Sequence, residues 1–89
     1  MRVEQIVITN RLGLHARAAA KLVQLSNQFT AEIRLEKDGQ TADAKSIMDV
    51  LMLTGTKDSA VTVCVEGKDE DTALHEVLRL FRDKFGEGE

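Results

Sequence analysis

The chain has 89 residues, of which 43% are hydrophobic and 30% are charged, so residues 1–89 are enough for one small domain and too few for two. A net charge of -3 and only three aromatic residues argue against a nucleic-acid binder, which needs a basic face and stacking platforms. One cysteine, no apolar leader segment and no long apolar run predict a cytoplasmic protein that does not contact membranes.

The first element is a strand. Arg2 to Thr9 is rich in Val and Ile, with Ile6 and Ile8 on one face, and the pattern ends at Asn10. A helix is predicted from Ala16, because the Ala, Arg, Lys, Leu and Gln that follow have high helix propensity. Its core-facing stripe comprises Ala19, Leu22, Val23 and Ser26, and its solvated stripe comprises Arg17, Lys21 and Gln24.

His15 lies where the extended segment gives way to this helix, and Gly13 supplies a flexible corner before it. The free N–H groups of a first helical turn and the positive end of the helix dipole both favour an anion at such a position. An imidazole placed there is suited to accept a phosphoryl group, with Arg17 two residues on to supply a permanent positive charge. Without more context, a surface histidine with no function would be the commoner explanation.

Two further strands follow. Residues Thr30 to Lys37 alternate apolar and charged side chains, which is the period of a half-buried strand. Asp38 and Gly39 form a strong hairpin-turn signal, and Gln40 to Ala44 is then a polar edge strand.

Ser46 is the predicted N-cap of a short second helix, and Asp49 suits its first turn. Six of the eight residues in SIMDVLML are apolar, so a helix packed on one side cannot bury them all. We assign Val50 and Leu53 to the core. The side chains expected to remain exposed, as a surface for docking of a partner protein, are Ile47, Met48 and Leu51, beside Lys21 and Gln24 of the first helix.

Ala60 to Glu66 is the clearest strand of the chain, with Cys64 on its less buried face. Asp69 is the predicted cap of a last helix. Its apolar stripe consists of Leu74, Val77, Leu78, Phe81 and Phe85, and its polar face carries a solvated His75. The order βαββαβα predicts an α+β open-faced sandwich, a four-stranded antiparallel sheet with helices on one face. No residues stand at the spacing of a metal site.

The segments GLHARAAAKLV and KSIMDVLML resemble the histidine-containing phosphocarrier (HPr) family along the whole chain. The resemblance implies that His15 takes a phosphoryl group, expected on Nδ1, from Enzyme I and passes it to an Enzyme II A-type protein, with Arg17 assisting. It also implies that Ser46 is phosphorylated by HPr kinase/phosphorylase. A monomer without a cofactor is expected, acting as a carrier with a transient phosphohistidine rather than as a stand-alone enzyme.

Two alternatives to sugar transport stay open, and a third is rejected. One is a mainly regulatory, nitrogen-type phosphocarrier. The second is an interaction module controlled only through Ser46, against which the presence of His15 argues. The third is a small metal-free hydrolase with His15 as its base; no Ser or Cys nucleophile lies near the motif, and the sequence identifies no carboxylate that would orient the ring.

Overall fold

The structure is a computed structural model that describes residues 1–89. Its elements are β1 (Arg2–Val7), α1 (Ala16–Ser26), β2 (Glu32–Lys37), β3 (Gln40–Asp43), α2 (Ile47–Met52), β4 (Ala60–Glu66), α3 (Glu70–Arg82) and a 3-10 turn (Lys84–Gly86). The four strands form one antiparallel sheet in the order β1-β4-β2-β3. This confirms the βαββαβα open sandwich.

The sheet is two-faced because alternate residues of its strands are apolar. Val63 of β4 pairs with Leu35 of β2, which pairs in turn with Ala42 of β3, and all three are buried beneath the helices. On the other face no element covers the sheet, and Val3 and Val7 remain exposed there. The helices therefore lie on one side only, as the sequence predicts.

Two strand ends differ from the prediction by two residues. β1 ends at Val7 rather than Thr9, because Ile8 leaves the ladder: its N–H donates to the carbonyl of Ser59, and its carbonyl accepts from Asp58. β2 begins at Glu32 rather than Thr30, since the N–H groups before it are bound by a side chain from outside the sheet.

That side chain is Asp69, which occupies the N-cap position of α3, as predicted, but does not cap the helix with its carboxylate. Its carboxylate accepts from the N–H groups of Thr30 (3.0 Å) and Ala31 (2.8 Å) and makes no capping bond to the helix. The hydrogen bond from Thr30 is the largest influence and, with that from Ala31, lowers the pKa of Asp69 against the opposing effect of burial. Asp69 thus joins the start of α3 to the start of β2.

Cys64 is buried, although it was predicted to lie on the less buried face. It does lie on the uncovered side of the sheet, but it pairs with Val3 on one strand and Arg34 on the other, whose side chains shield it. Burial raises the pKa of the Cys64 thiol, whose Sγ lies 3.8 Å from Oε2 of Glu36.

The last helix ends before Phe85, the last residue of the apolar stripe predicted for it. α3 stops at Arg82, and Lys84 and Phe85 then adopt positive φ angles of 54° and 55°. Phe85 is fully buried, as predicted, but it reaches the core through this reversal and not as part of the helix. Its ring meets that of Phe81 edge-on, with centroids 4.9 Å apart. None of the helices combines the length and apolar character needed to cross a bilayer.

The role of Asp69 generates a prediction about pH. Because the pKa of Asp69 is lowered on folding from an ordinary value of 3.8, its contribution to stability is present above that value and disappears as the pH falls through the folded-state pKa. Asp69→Asn should therefore melt below wild type at neutral pH, and the difference should vanish in acid. Asp58→Asn, which changes an exposed carboxylate, is the control; an equal loss there would contradict the role given to Asp69.

Candidate functional site

His15 is the N-cap of α1, as predicted. Its backbone is extended (φ -76°, ψ 178°), and its ring turns back onto the first helical turn, where the N–H of Arg17 donates to Nδ1 at 3.3 Å. Since Nδ1 accepts this bond, it carries the lone pair of the neutral ring, and the proton is on Nε2. The imidazole thus presents Nδ1 as its nucleophilic nitrogen next to the positive end of the helix dipole.

The corner before His15 depends on Gly13. Its φ is +62°, in the left-handed region, and a Cβ atom there would overlap the carbonyl oxygen of Gly55. The same oxygen accepts from the N–H of Leu14 at 2.8 Å, which ties the corner to the loop before β4. Only glycine allows this approach, and the approach sets the direction in which the chain enters α1.

A carboxylate that sequence reasoning missed contacts the other ring nitrogen: Oε2 of Glu87 meets Nε2 of His15. Its second oxygen, Oε1, accepts from Nδ2 of the fully buried Asn10 at 3.0 Å. Burial raises the pKa of Glu87, but the hydrogen bonds from Asn10 and His15, together with positive charge nearby, lower it more, so the pKa is below its usual value and the group is ionised at neutral pH. The only local signal in the sequence is a Gly on each side of Glu87, which indicates an irregular segment and no partner.

Lys21 was predicted to face solvent, but its ammonium group binds another part of the chain. Its Nζ donates to the carbonyl oxygen of Phe85 at 2.6 Å and so holds the segment that follows α3 against α1. Nearby, Nε of Arg11 lies 3.2 Å from Oε2 of Glu89. The segment 85–89, here called the C-terminal segment, therefore lies along the site.

These groups surround one open cavity of about 590 Å³. Its lining comprises Arg11, Leu12, His15, Ala16, Arg17, Lys21, Gly86, Glu87 and Glu89. The guanidinium of Arg17 is exposed and makes no hydrogen bond or ion pair with the rest of the chain, unlike the side chains of Arg11 and Lys21. Arg17 is thus the cation free to meet an anion beside Nδ1.

This arrangement matches a known family. Residues 3–83 fit the family model described as PTS HPr component phosphorylation site. The chain belongs to the HPr family. The phosphocarrier protein HPr of Cupriavidus necator is 48% identical over 82 residues, 92% of each chain. An HPr from Thermoanaerobacter tengcongensis superposes with a TM-score of 0.94 at 40% identity, over 98% of each chain.

Membership confirms the predicted family and makes the chain an HPr-type phosphocarrier of the phosphotransferase system. A relative with a different name is also similar to this chain. The phosphocarrier protein NPr of Shewanella violacea is 41% identical over 83 residues, covering 93% of this chain and 91% of its own. Relatives of both names therefore resemble this chain.

The remaining predicted residues lie on α1 and α2. Ser46 caps α2, and its Oγ accepts from the N–H of Asp49 at 3.3 Å. The exposed side of α2 carries Ile47, Met48, Leu51 and Met52, with 40%, 64%, 36% and 71% of each residue accessible. Val50 and Leu53 are buried, so the predicted division of the helix is confirmed. Gln24 is exposed on α1, and His75 is exposed on α3, remote in sequence from the site.

The Gly13 corner can be tested by substitution. Gly13→Ala should destabilise the protein by about 3 kcal/mol, because it adds the overlap with Gly55 to the cost of a positive φ. Gly39→Ala is the matched control: Gly39 also has a positive φ (+81°), but nothing lies within 4 Å of the added Cβ. It should cost only about 1 kcal/mol. Equal losses in urea unfolding would show that the approach to Gly55 contributes nothing.

Proposed function

We propose that this phosphocarrier accepts its phosphoryl group on Nδ1 of His15 from Enzyme I and passes it to an Enzyme II A-type protein. The observation that carries the proposal is the N-cap geometry of His15, with the lone pair of Nδ1 at the start of α1 and a free Arg17 beside it. A phosphoryl group on Nδ1 would meet N–H donors and a guanidinium, both of which favour a dianion.

The open cavity suits a carrier. Phosphate has to enter from one partner and leave to another, so the acceptor nitrogen must be reachable by two different proteins. Glu87 supplies the carboxylate beside His15 that a hydrolase would need. No residue with a hydroxyl or thiol side chain lines the cavity, however, so a hydrolase would still have no nucleophile. The open cavity therefore favours a carrier of the phosphoryl group over a stand-alone enzyme, and we propose that the carrier acts in the cytoplasm, as the sequence predicts.

The pathway can be tested through gene context and partners. The NPr relative supports keeping a nitrogen-type, mainly regulatory role as the second candidate. Neighbouring genes for sugar permeases would favour transport, and neighbouring genes for a kinase and a nitrogen-type acceptor would favour regulation. We propose a monomer of one domain, residues 1–89, although an HPr of Thermoanaerobacter tengcongensis has also been crystallised as a dimer.

The first test concerns His15. Incubation with phosphoenolpyruvate, magnesium and Enzyme I should add one acid-labile, base-stable phosphate to the protein, and His15→Ala should acquire none. Arg17→Ala should keep the melting temperature, because the side chain is exposed and unpaired, but should lower the rate of transfer by about tenfold or more through loss of a charge beside the phosphoryl group. Equal labelling of wild type and His15→Ala would refute the assignment.

The second test concerns docking. We propose that partner proteins contact Ile47, Met48 and Leu51 of α2, flanked by Lys21 and Gln24 of α1. Met48→Ala should weaken binding to Enzyme I by about 1 to 3 kcal/mol and leave stability nearly unchanged, because Met48 is exposed.

The matched control for docking is a buried residue of the same segment. Leu53→Ala should instead cost about 2 to 5 kcal/mol of stability. Titration calorimetry and thermal melts of the two variants separate the effects. A melting temperature lowered equally by both substitutions would contradict a contact role for Met48.

The third test concerns Ser46, which we propose as a regulatory phosphorylation site for HPr kinase/phosphorylase. A phosphate there would meet the N-terminus of α2 and, on the other side, the carboxylate of Asp49, whose Oδ2 accepts from the N–H of Asp43 at 3.1 Å. Attraction and repulsion oppose each other, so Ser46→Asp should change stability by less than about 1 kcal/mol.

The charge would act on partners instead. It lies beside Ile47 and Met48 and would have to be desolvated when Enzyme I covers them, so Ser46→Asp should slow phosphorylation of His15. Ser46→Ala, which loses only the cap, should phosphorylate like wild type. Equal rates in all three proteins would exclude antagonism between the two sites.

A further inference from the structure

The far side of the His15 ring is held by a pair of residues from distant parts of the chain. We propose that Glu87, oriented by Asn10, is a positioning residue that keeps the proton of His15 on Nε2 and so selects Nδ1 as the nitrogen that is phosphorylated. The inference rests on the proposed function in one respect only, that His15 is the acceptor.

The carboxylate of Glu87 uses both oxygens. Oε2 contacts Nε2 of His15, and Oε1 accepts from Nδ2 of Asn10 at 3.0 Å. The other hydrogen of Nδ2 goes to the carbonyl oxygen of Gly13 at 2.8 Å. Because Asn10 is fully buried and the side chain of Glu87 is only 12% exposed, neither group has the freedom of a surface side chain. The position of Oε2 is therefore fixed relative to the corner that carries His15.

The backbone around Glu87 is anchored as well. Phe85 is buried in the core, and Lys21 binds its carbonyl oxygen. Gly86 then turns with a φ of +75°, which brings Glu87 under the ring. The carboxylate is thus delivered by an ordered turn joined to the hydrophobic core.

Only a carboxylate satisfies both donors. Asn10 and the Nε2–H group each need an acceptor, and an ionised Glu offers two oxygens whereas Gln offers one oxygen and an NH2 group. With Gln at position 87, its NH2 group would face either the NH2 group of Asn10 or the Nε2–H group of His15, and two donors would then meet. A Gln whose NH2 group faced His15 would favour a lone pair on Nε2, which is the opposite tautomer.

The tautomer decides which nitrogen reacts. With the proton on Nε2, the lone pair of Nδ1 gives up its hydrogen bond from the N–H of Arg17 and forms the new N–P bond, while the bond between phosphorus and its donor breaks and the donor leaves with that electron pair. The proton on Nε2 stays in place, and the carboxylate of Glu87 balances the positive charge that the ring acquires. On the Nδ1 side, the N–H of Arg17 favours the same tautomer, because it needs an acceptor.

The experiment uses the whole protein and needs no partner. The nitrogen chemical shifts of the two ring nitrogens, measured by NMR on labelled protein at alkaline pH, report which one carries the proton. The protein is then phosphorylated chemically with phosphoramidate, and phosphorus NMR distinguishes the Nδ1 and Nε2 isomers. His75 is the internal reference, since its side chain is 72% exposed and its nearest charged contact is a glutamate at 3.9 Å.

Wild type should show the proton on Nε2 of His15 and phosphorylation on Nδ1, whereas His75 should give both isomers. Glu87→Gln should raise the share of the Nε2 isomer at His15 at least about tenfold, the factor expected for loss of one hydrogen bond to a charged group. Glu89→Gln removes a neighbouring carboxylate that binds Arg11 and not His15, so it should keep the wild-type isomer.

Three results would overturn the inference: a wild-type His15 as unselective as His75, a Glu87→Gln protein that keeps the wild-type isomer, or an equal change in Glu89→Gln. The wild-type nitrogen shifts test the proposal even if Glu87→Gln does not fold. Failure of Enzyme I to phosphorylate the wild type would instead refute the proposed function, since neither the nitrogen shifts nor phosphoramidate involves that enzyme.

Discussion

The buried side chain of Asn10 is the constraint on which the rest of the site depends. A buried amide is costly unless it is hydrogen-bonded. Here Nδ2 donates one hydrogen to the carbonyl oxygen of Gly13 and the other to Oε1 of Glu87. One residue in the loop after β1 therefore connects the corner that carries His15 with the C-terminal segment. The two loops cannot move independently without breaking one of these bonds in a place that water does not reach.

What the sequence predicts well is local. The turn at Gly39, the strand at Ala60 to Glu66 and the division of α2 follow from periodicity and from turn chemistry between neighbours. The placement of His15 at the start of α1 is of the same kind, because Gly13 and the alanine-rich run lie within a few residues of it. In each case the local structure is determined by residues that are neighbours in the sequence, so their pattern can be recognised without knowing the fold.

What the sequence does not predict joins residues far apart in the chain. Glu87 contacts His15 from 72 positions away, and Asp69 binds the N–H groups of Thr30 and Ala31 from 39 and 38 positions away. A charged residue near a helix end has the same appearance in a sequence whether it caps that helix, faces solvent or crosses to another element. Asp69 was accordingly expected to cap its own helix, whereas its carboxylate binds the N–H groups that precede β2.

The same reasoning explains Lys21. On a helical wheel it belongs to the solvated stripe, and the residue is only partly buried. Its ammonium group, however, binds a carbonyl that becomes available only because α3 ends at Arg82 and Phe85 reverses the chain. The reversal in turn depends on Phe85 entering the core with a positive φ, at a cost that the burial of its ring offsets.

The distribution of charge around His15 also distinguishes its two sides. Nε2 faces a carboxylate that is buried, ionised and already bonded, so that side of the ring offers an incoming anion nothing but repulsion. Nδ1 faces an N–H group of the first helical turn and the unpaired charge of Arg17. An anionic donor approaching the open cavity is therefore drawn to one nitrogen and repelled from the other. The electrostatic field and the hydrogen-bonded tautomer therefore favour the same atom.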